Sequence, residues 1–129
     1  MRDAKRFEAL RAVFGDETQD YAEALERNYQ SGPPEGWQEN YISTYAASHP
    51  WEDFAECFAH YLHIIDTLET AGSFGMAIEP EVHKEMAAEV EFDPYNARSA
   101  EQLVSVWVPL SVAMNSIHRS MGQGDLYPF

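Results

Sequence analysis

The chain has 129 residues, enough for one domain, and 45% of them are hydrophobic, with seven Phe, seven Tyr and three Trp; a packed core is therefore expected rather than disorder. Eight Lys and Arg stand against 22 Asp and Glu, a formal charge of −14, which disfavours nucleic acid and anionic membrane surfaces as partners and favours cations and basic peptides. A lone cysteine, Cys57, rules out an intrachain disulfide, and with no secretory leader and no long apolar run the expectation is a soluble cytoplasmic protein.

Phe7, Leu10, Val13 and Phe14 recur at helical spacing, and Gly15 follows as a stop. A second helix is expected from Asp16 or Thr18, with Tyr21, Ala22, Leu25 and Tyr29 on one stripe, ending before the Gly32-Pro33-Pro34-Glu35-Gly36 loop. Trp37 to Ala47 is compatible with a short helix or an extended segment. Ser48-His49-Pro50 reads as the start of a long helix to about Thr70, since proline is tolerated in a first turn where its missing N–H is not needed. One short helix is expected near Pro80–Val90, then a loop at Asp93-Pro94-Tyr95-Asn96. Ser99-Ala100-Glu101-Gln102 has the form of a capping box opening the last helix. Leu103, Val106, Trp107, Leu110, Ala113, Met114 and Ile117 form that helix's apolar face, and Pro109 lies within it. Met76, Met86, Met114 and Met121 read as core gap-fillers. No segment is a strong strand candidate, so the predicted class is all-α, one domain of five to six helices.

The chemistry is concentrated on the helix from Trp51 to His63. At 100° per residue, Glu52, Glu56, His60 and His63 fall within an arc of roughly 80°, while Phe54, Phe58, Leu62 and Ile65 lie on the far side and are expected to pack into the core. Carboxylates and imidazoles on one face are oxygen and nitrogen donors suited to zinc or iron. The same spacing also suits a solvated face with weak i,i+4 pairing. A di-metal helical bundle is a third reading, although no second helix offers a matching Glu and His set. Cys57 reads as a small core residue, not a nucleophile.

Residues 45–63, Tyr-Ala-Ala-Ser-His-Pro-Trp-Glu-Asp-Phe-Ala-Glu-Cys-Phe-Ala-His-Tyr-Leu-His, resemble a bacterial family described as putative zinc-binding metallopeptidases. The resemblance extends through Phe14-Gly15-Asp16-Glu17, Asp20-Tyr21-Ala22, Asp66 to Ala71, Asn115 to Gln123 and the terminal Asp125-Leu126-Tyr127-Pro128-Phe129. It implies a helical, zincin-like domain in which a His-Glu-x-x-His helix supplies two zinc-binding imidazoles and a general base, and a later helix supplies a carboxylate ligand. The stretch Glu52-Asp53-Phe54-Ala55-Glu56 looks like that later helix, of a kind also found in anthrax lethal factor. By this resemblance Glu52 is the third zinc ligand, Glu56 orients a zinc-bound imidazole, and Tyr45 stabilises the oxyanion formed at a peptide carbonyl. His49, His60 and His63 have no ligand role in it and read as structural.

The sequence contains no His-Glu-x-x-His. The chain therefore reads as the part of a peptidase catalytic domain that follows the zinc helix, inactive alone, with zinc held only in the complete protein. The alternatives are a non-catalytic peptide- or protein-binding domain and the di-metal bundle. The expected partners are a peptide or protein substrate and a second copy covering apolar helix surface that the zinc helix would otherwise cover.

Overall fold

The computed structural model describes residues 2–128; Phe129, the last residue of the family-like tail, lies outside them. Four α-helices account for most of these residues, α1 (Arg2–Phe14), α2 (Tyr21–Ser31), α3 (Pro50–Ser73) and α4 (Ala100–Ser120). The other helical pieces are 3₁₀ turns of three residues each, so the expected five to six helices become four. Among the described residues no helix is long and apolar enough to cross a membrane. The chain divides into two compact units, Met1–Tyr61 and Leu62–Phe129.

In the first unit α1 stops at Gly15, whose φ of 92° suits a residue without a Cβ. α2 begins later than Asp16 or Thr18 because the Asp16 carboxylate is already engaged, accepting from the backbone N–H and the hydroxyl of Thr18. Asp20 caps the helix instead, accepting from the Glu23 N–H. Ala24 is the buried residue of α2, whereas Tyr29 of the expected stripe is exposed. The ambiguous stretch from Trp37 to Ala47 is neither α-helix nor strand. It contains the single turn Trp37–Glu39 and the start of a second, Ala46–Ser48.

The second unit holds the hydrophobic core. Ile65, Leu68 and Ala71 of α3 pack with Leu103, Val106, Trp107 and Leu110 of α4, and Leu68 is fully buried. Ser99 caps α4 by accepting from the Gln102 N–H, while the Gln102 side chain reaches back to the Arg98 N–H. The expected helix near Pro80–Val90 is absent. In its place β1 (Ala77–Ile78) pairs antiparallel with β2 (Ala88–Glu89), with Ala77 opposite Glu89 and Ile78 opposite Ala88. The reason is visible from Met86 to Asp93, where half-buried and exposed residues alternate strictly. That period of two lays Ala88, Val90 and Phe92 against the core. A Cβ on Gly72 would stand 3.3 Å from Val90 Cγ1, so the absence of a side chain there lets this strand approach α3.

The apolar stripe of α3 is only partly covered. Trp51, Phe54, Phe58, Tyr61 and Leu62 lie within about 100° of arc. Yet Phe54 is 39% and Phe58 51% exposed, and Trp51, Tyr61 and Leu62 are exposed with them. Ile65, on the same stripe, is 3% exposed and belongs to the core. Core packing expected of Phe54, Phe58 and Leu62 is thus not found, and in the first unit Phe14 stands edge-on against Phe54. Met76 and Met121 are exposed rather than core-filling, whereas Met86 and Met114 are half-buried.

Candidate functional site

The start of α3 is built around His49. Its ring is 2% exposed, and Nδ1 accepts the Trp51 N–H at 3.1 Å, satisfying one of the donors a helix N-terminus leaves open. An Nδ1 that accepts carries no hydrogen, so Nε2 bears it and donates to the Gln19 carbonyl at 3.2 Å. Tyr21 packs edge-on against the same ring, with centroids 5.2 Å apart. The sequence marked Ser48-His49-Pro50 as a helix start; the structure assigns the capping to the imidazole.

This frame presents Glu52 from the first turn of α3, half-buried. The Tyr21 hydroxyl donates to Glu52 Oε1 across 31 residues of sequence. Hydrogen bonding to Glu52 and then to Tyr45 drives the Tyr21 phenol well above its usual range, since losing its proton would put a second negative charge beside a carboxylate. Glu52 and Tyr45, both named from the sequence, therefore meet in one cluster, and Tyr21 joins them. Tyr21 had appeared on the stripe of the second helix and within a family-like tripeptide, and no local spacing connects it to Glu52.

Glu56 sits one turn on, but its partner lies in the preceding loop. Ser43 Oγ donates to Glu56 Oε2 at 3.0 Å and itself accepts the Ala46 N–H at 2.9 Å. Asn28 of α2 donates to the Thr44 carbonyl at 3.3 Å. The segment leading into Tyr45 is thus tied to α3 through Ser43 and to α2 through Thr44. In the first unit Glu56 positions a loop.

Asp53 and Cys57 occupy the buried side of the same helical turn. The Cys57 thiol donates to Asp53 Oδ1 at 3.5 Å. Burial first, then the neighbouring Asp53 charge, pushes the thiol up to about 11, so it stays protonated near neutrality and is a poor nucleophile. Burial likewise raises the Asp53 carboxyl above its ordinary value. His60 is half-buried. His63 belongs to the second unit, where Nδ1 lies 3.4 Å from the Tyr127 hydroxyl and the two rings meet edge-on; Tyr127 in turn stands edge-on to Trp107.

Whether these residues suit zinc follows from the donor set. Catalytic zinc takes three protein ligands. Among the described residues, no three His, Cys, Asp or Glu side chains come together as a metal-holding group. Glu52 offers one carboxylate in a cluster whose other members are phenols. The described residues therefore do not form a zinc site by themselves, and neither a self-contained zinc centre nor the di-metal reading gains support.

Proteins of Mycobacterium bovis and Mycobacterium tuberculosis, both described as uncharacterized, are 48% identical to the chain over 119 residues. The match covers 91% of this chain but 32% of theirs, so the chain spans about a third of the length of these curated relatives. No solved structure matches it. A family model matches residues 1–129 throughout, and the chain belongs to the family described as "Putative zinc-binding metallo-peptidase".

Proposed function

We propose that this chain contributes the carboxylate-and-tyrosine half of a zinc peptidase site and is inactive without a segment bearing His-Glu-x-x-His. The observation that carries the reading is the convergence of Tyr21, Tyr45 and Glu52 at the capped start of α3. Glu52 supplies one oxygen ligand. Tyr21 holds that carboxylate in place by donating to it, and the Tyr45 hydroxyl, hydrogen-bonded to Tyr21 in the free chain, turns to an oxyanion as donor when substrate binds. Glu56 acts through Ser43, keeping the Tyr45 loop in register. Zinc supplies Lewis acidity and an activated water in the complete enzyme, with a peptide or protein as substrate and no nucleic acid or membrane involved.

The test extends the chain upstream with a family segment carrying His-Glu-x-x-His and measures zinc-dependent cleavage of an unfolded peptide. The extended protein is expected to cleave and Tyr45→Phe to lower kcat by about 10² or more, the scale of losing one oxyanion donor. Tyr21→Phe is expected to weaken zinc retention more than kcat. An extended, zinc-loaded protein that cleaves nothing, or one indifferent to Glu52→Gln, would overturn the reading.

A further inference from the structure

The second unit carries a cleft that shares no residue with the Glu52 cluster. Its volume is about 570 Å³, inside the range of small-ligand sites, roughly 300–1,000 Å³. One wall is the segment from Ala77 to Met86; the other is the middle of α4. Ile78, Met86, Pro109, Val112 and Ala113 make it apolar. Val112 is 41% exposed on this wall, whereas Leu110 and Ser111 beside it in sequence are buried.

The polar side chains at the cleft are two carboxylates and one imidazole. Glu79, Glu85 and His83 line it, and no lysine or arginine does. Both carboxylates belong to exposed residues. Glu85 Oε1 lies 3.0 Å from His83 Nδ1, with both side chains largely exposed at the rim. His83 has a φ of 58°, the only described non-glycine residue in the left-handed region. For a residue with a Cβ this conformation is disfavoured, and such outliers concentrate where a backbone is held for a purpose. Here it turns the chain into the 3₁₀ turn Lys84–Met86, which sets Glu85 at the cleft and Met86 in its wall.

We infer that this cleft between Ala77–Met86 and α4 binds an apolar organic cation, an aliphatic or aromatic body carrying one ammonium or guanidinium group. The apolar walls remove the body from water, and Glu79 and Glu85 pair with the charge at the rim. A chain with a formal charge of −14 adds a long-range field of the same sign, which draws cations in and discriminates against anions of equal size. The ligand chemistry is the same whether the cation is a free amine or a basic side chain beside apolar residues in a peptide.

The test is calorimetric titration of the intact chain with tryptamine, with indole-3-propionate as its anionic counterpart and with the capped peptide acetyl-Leu-Lys-Leu-amide. Saturable binding of tryptamine or the peptide is expected, with indole-3-propionate at least about 10-fold weaker. Tryptamine alone identifies a free amine as the source; the peptide alone identifies a basic side chain. Glu79→Gln with Glu85→Gln should bring the cation down to the level of the anion without changing the thermal unfolding temperature. Ala113→Trp should fill the cleft and abolish binding. If that variant does not fold, Ala77→Trp fills it from an exposed strand position instead. Three results would overturn the inference: no saturable binding of either cation, equal binding of cation and anion, or full binding by a folded cleft-filling variant.

Discussion

At the scale of single residues, His49 has more consequences than its histidine chemistry suggests. It is the N-terminal cap of α3 and the ring under Tyr21, so it supports the presentation of Glu52 without touching Glu52's carboxylate. His49→Ala is expected to cost about 1–3 kcal/mol, from the lost cap and the buried ring's contacts. His49→Asn should recover part of this, because asparagine is itself a strong N-cap. Urea unfolding of the three proteins checks the order; equal midpoints would show that the imidazole's hydrogen bonds carry no stability. Three carboxyls are held below their ordinary values, Asp16 by its bonds from Thr18 and two by arginine partners. Glu17 pairs with Arg11 and Asp125 with Arg119, each through two bonds of 2.6–2.7 Å, and each carboxyl is held below its ordinary value by its guanidinium partner. A lowered folded-state pKa means that the stabilisation is present above the unfolded value and is lost as pH falls through the folded one. Thermal stability should therefore decline below about 4.5, the ordinary value for glutamate. Asp53 works against this trend, because its carboxyl is raised and acid relieves its burial. A Glu17→Gln, Asp125→Asn variant should be less stable at neutral pH and decline less steeply; an unchanged slope would exclude these pairs as the cause.

At the scale of elements, α3 explains both what the sequence revealed and what it hid. Its limits, its loaded face and its apolar stripe were readable because each depends on residues three or four apart. Whether that stripe is covered depends on other elements, which is why Phe54 and Phe58 are exposed where burial was expected. The hairpin was missed for a different reason. Each of its strands is two residues long, and the paired residues of β2, Ala88 and Glu89, are poor strand formers, although the alternation continues through Val90 and Phe92. The open stripe makes a direct prediction. Exposed aromatics in a row are an association surface, and we propose that isolated chains self-associate through Phe54 and Phe58. Light scattering across a wide concentration range should show oligomers, and Phe54→Ser with Phe58→Ser should shift them toward monomer. A clean monomer at all concentrations would refute this.

At the scale of the whole molecule, family membership was legible because it rests on runs spread along the chain, and the family model matches throughout. The candidate site was legible only in outline. Glu52 and Tyr45 were named together by the family resemblance, and the fold brings both to the Tyr21 hydroxyl. Tyr21 arrives from α2 through the fold, and Glu56 accepts from Ser43 of the loop before α3, a tie no local spacing announces. We propose that Glu52 is a zinc ligand completed by the imidazoles of a His-Glu-x-x-His segment. The most direct measurement is zinc stoichiometry after exposure to zinc and removal of excess, on three proteins: the chain alone, the chain extended by a His-Glu-x-x-His segment, and that extended protein with Glu52→Gln. Near-stoichiometric zinc is predicted only in the second, with marked loss in the third. Stoichiometric zinc in the chain alone that disappears on replacing His60 or His63, or undiminished zinc in the Glu52→Gln protein, would contradict the account.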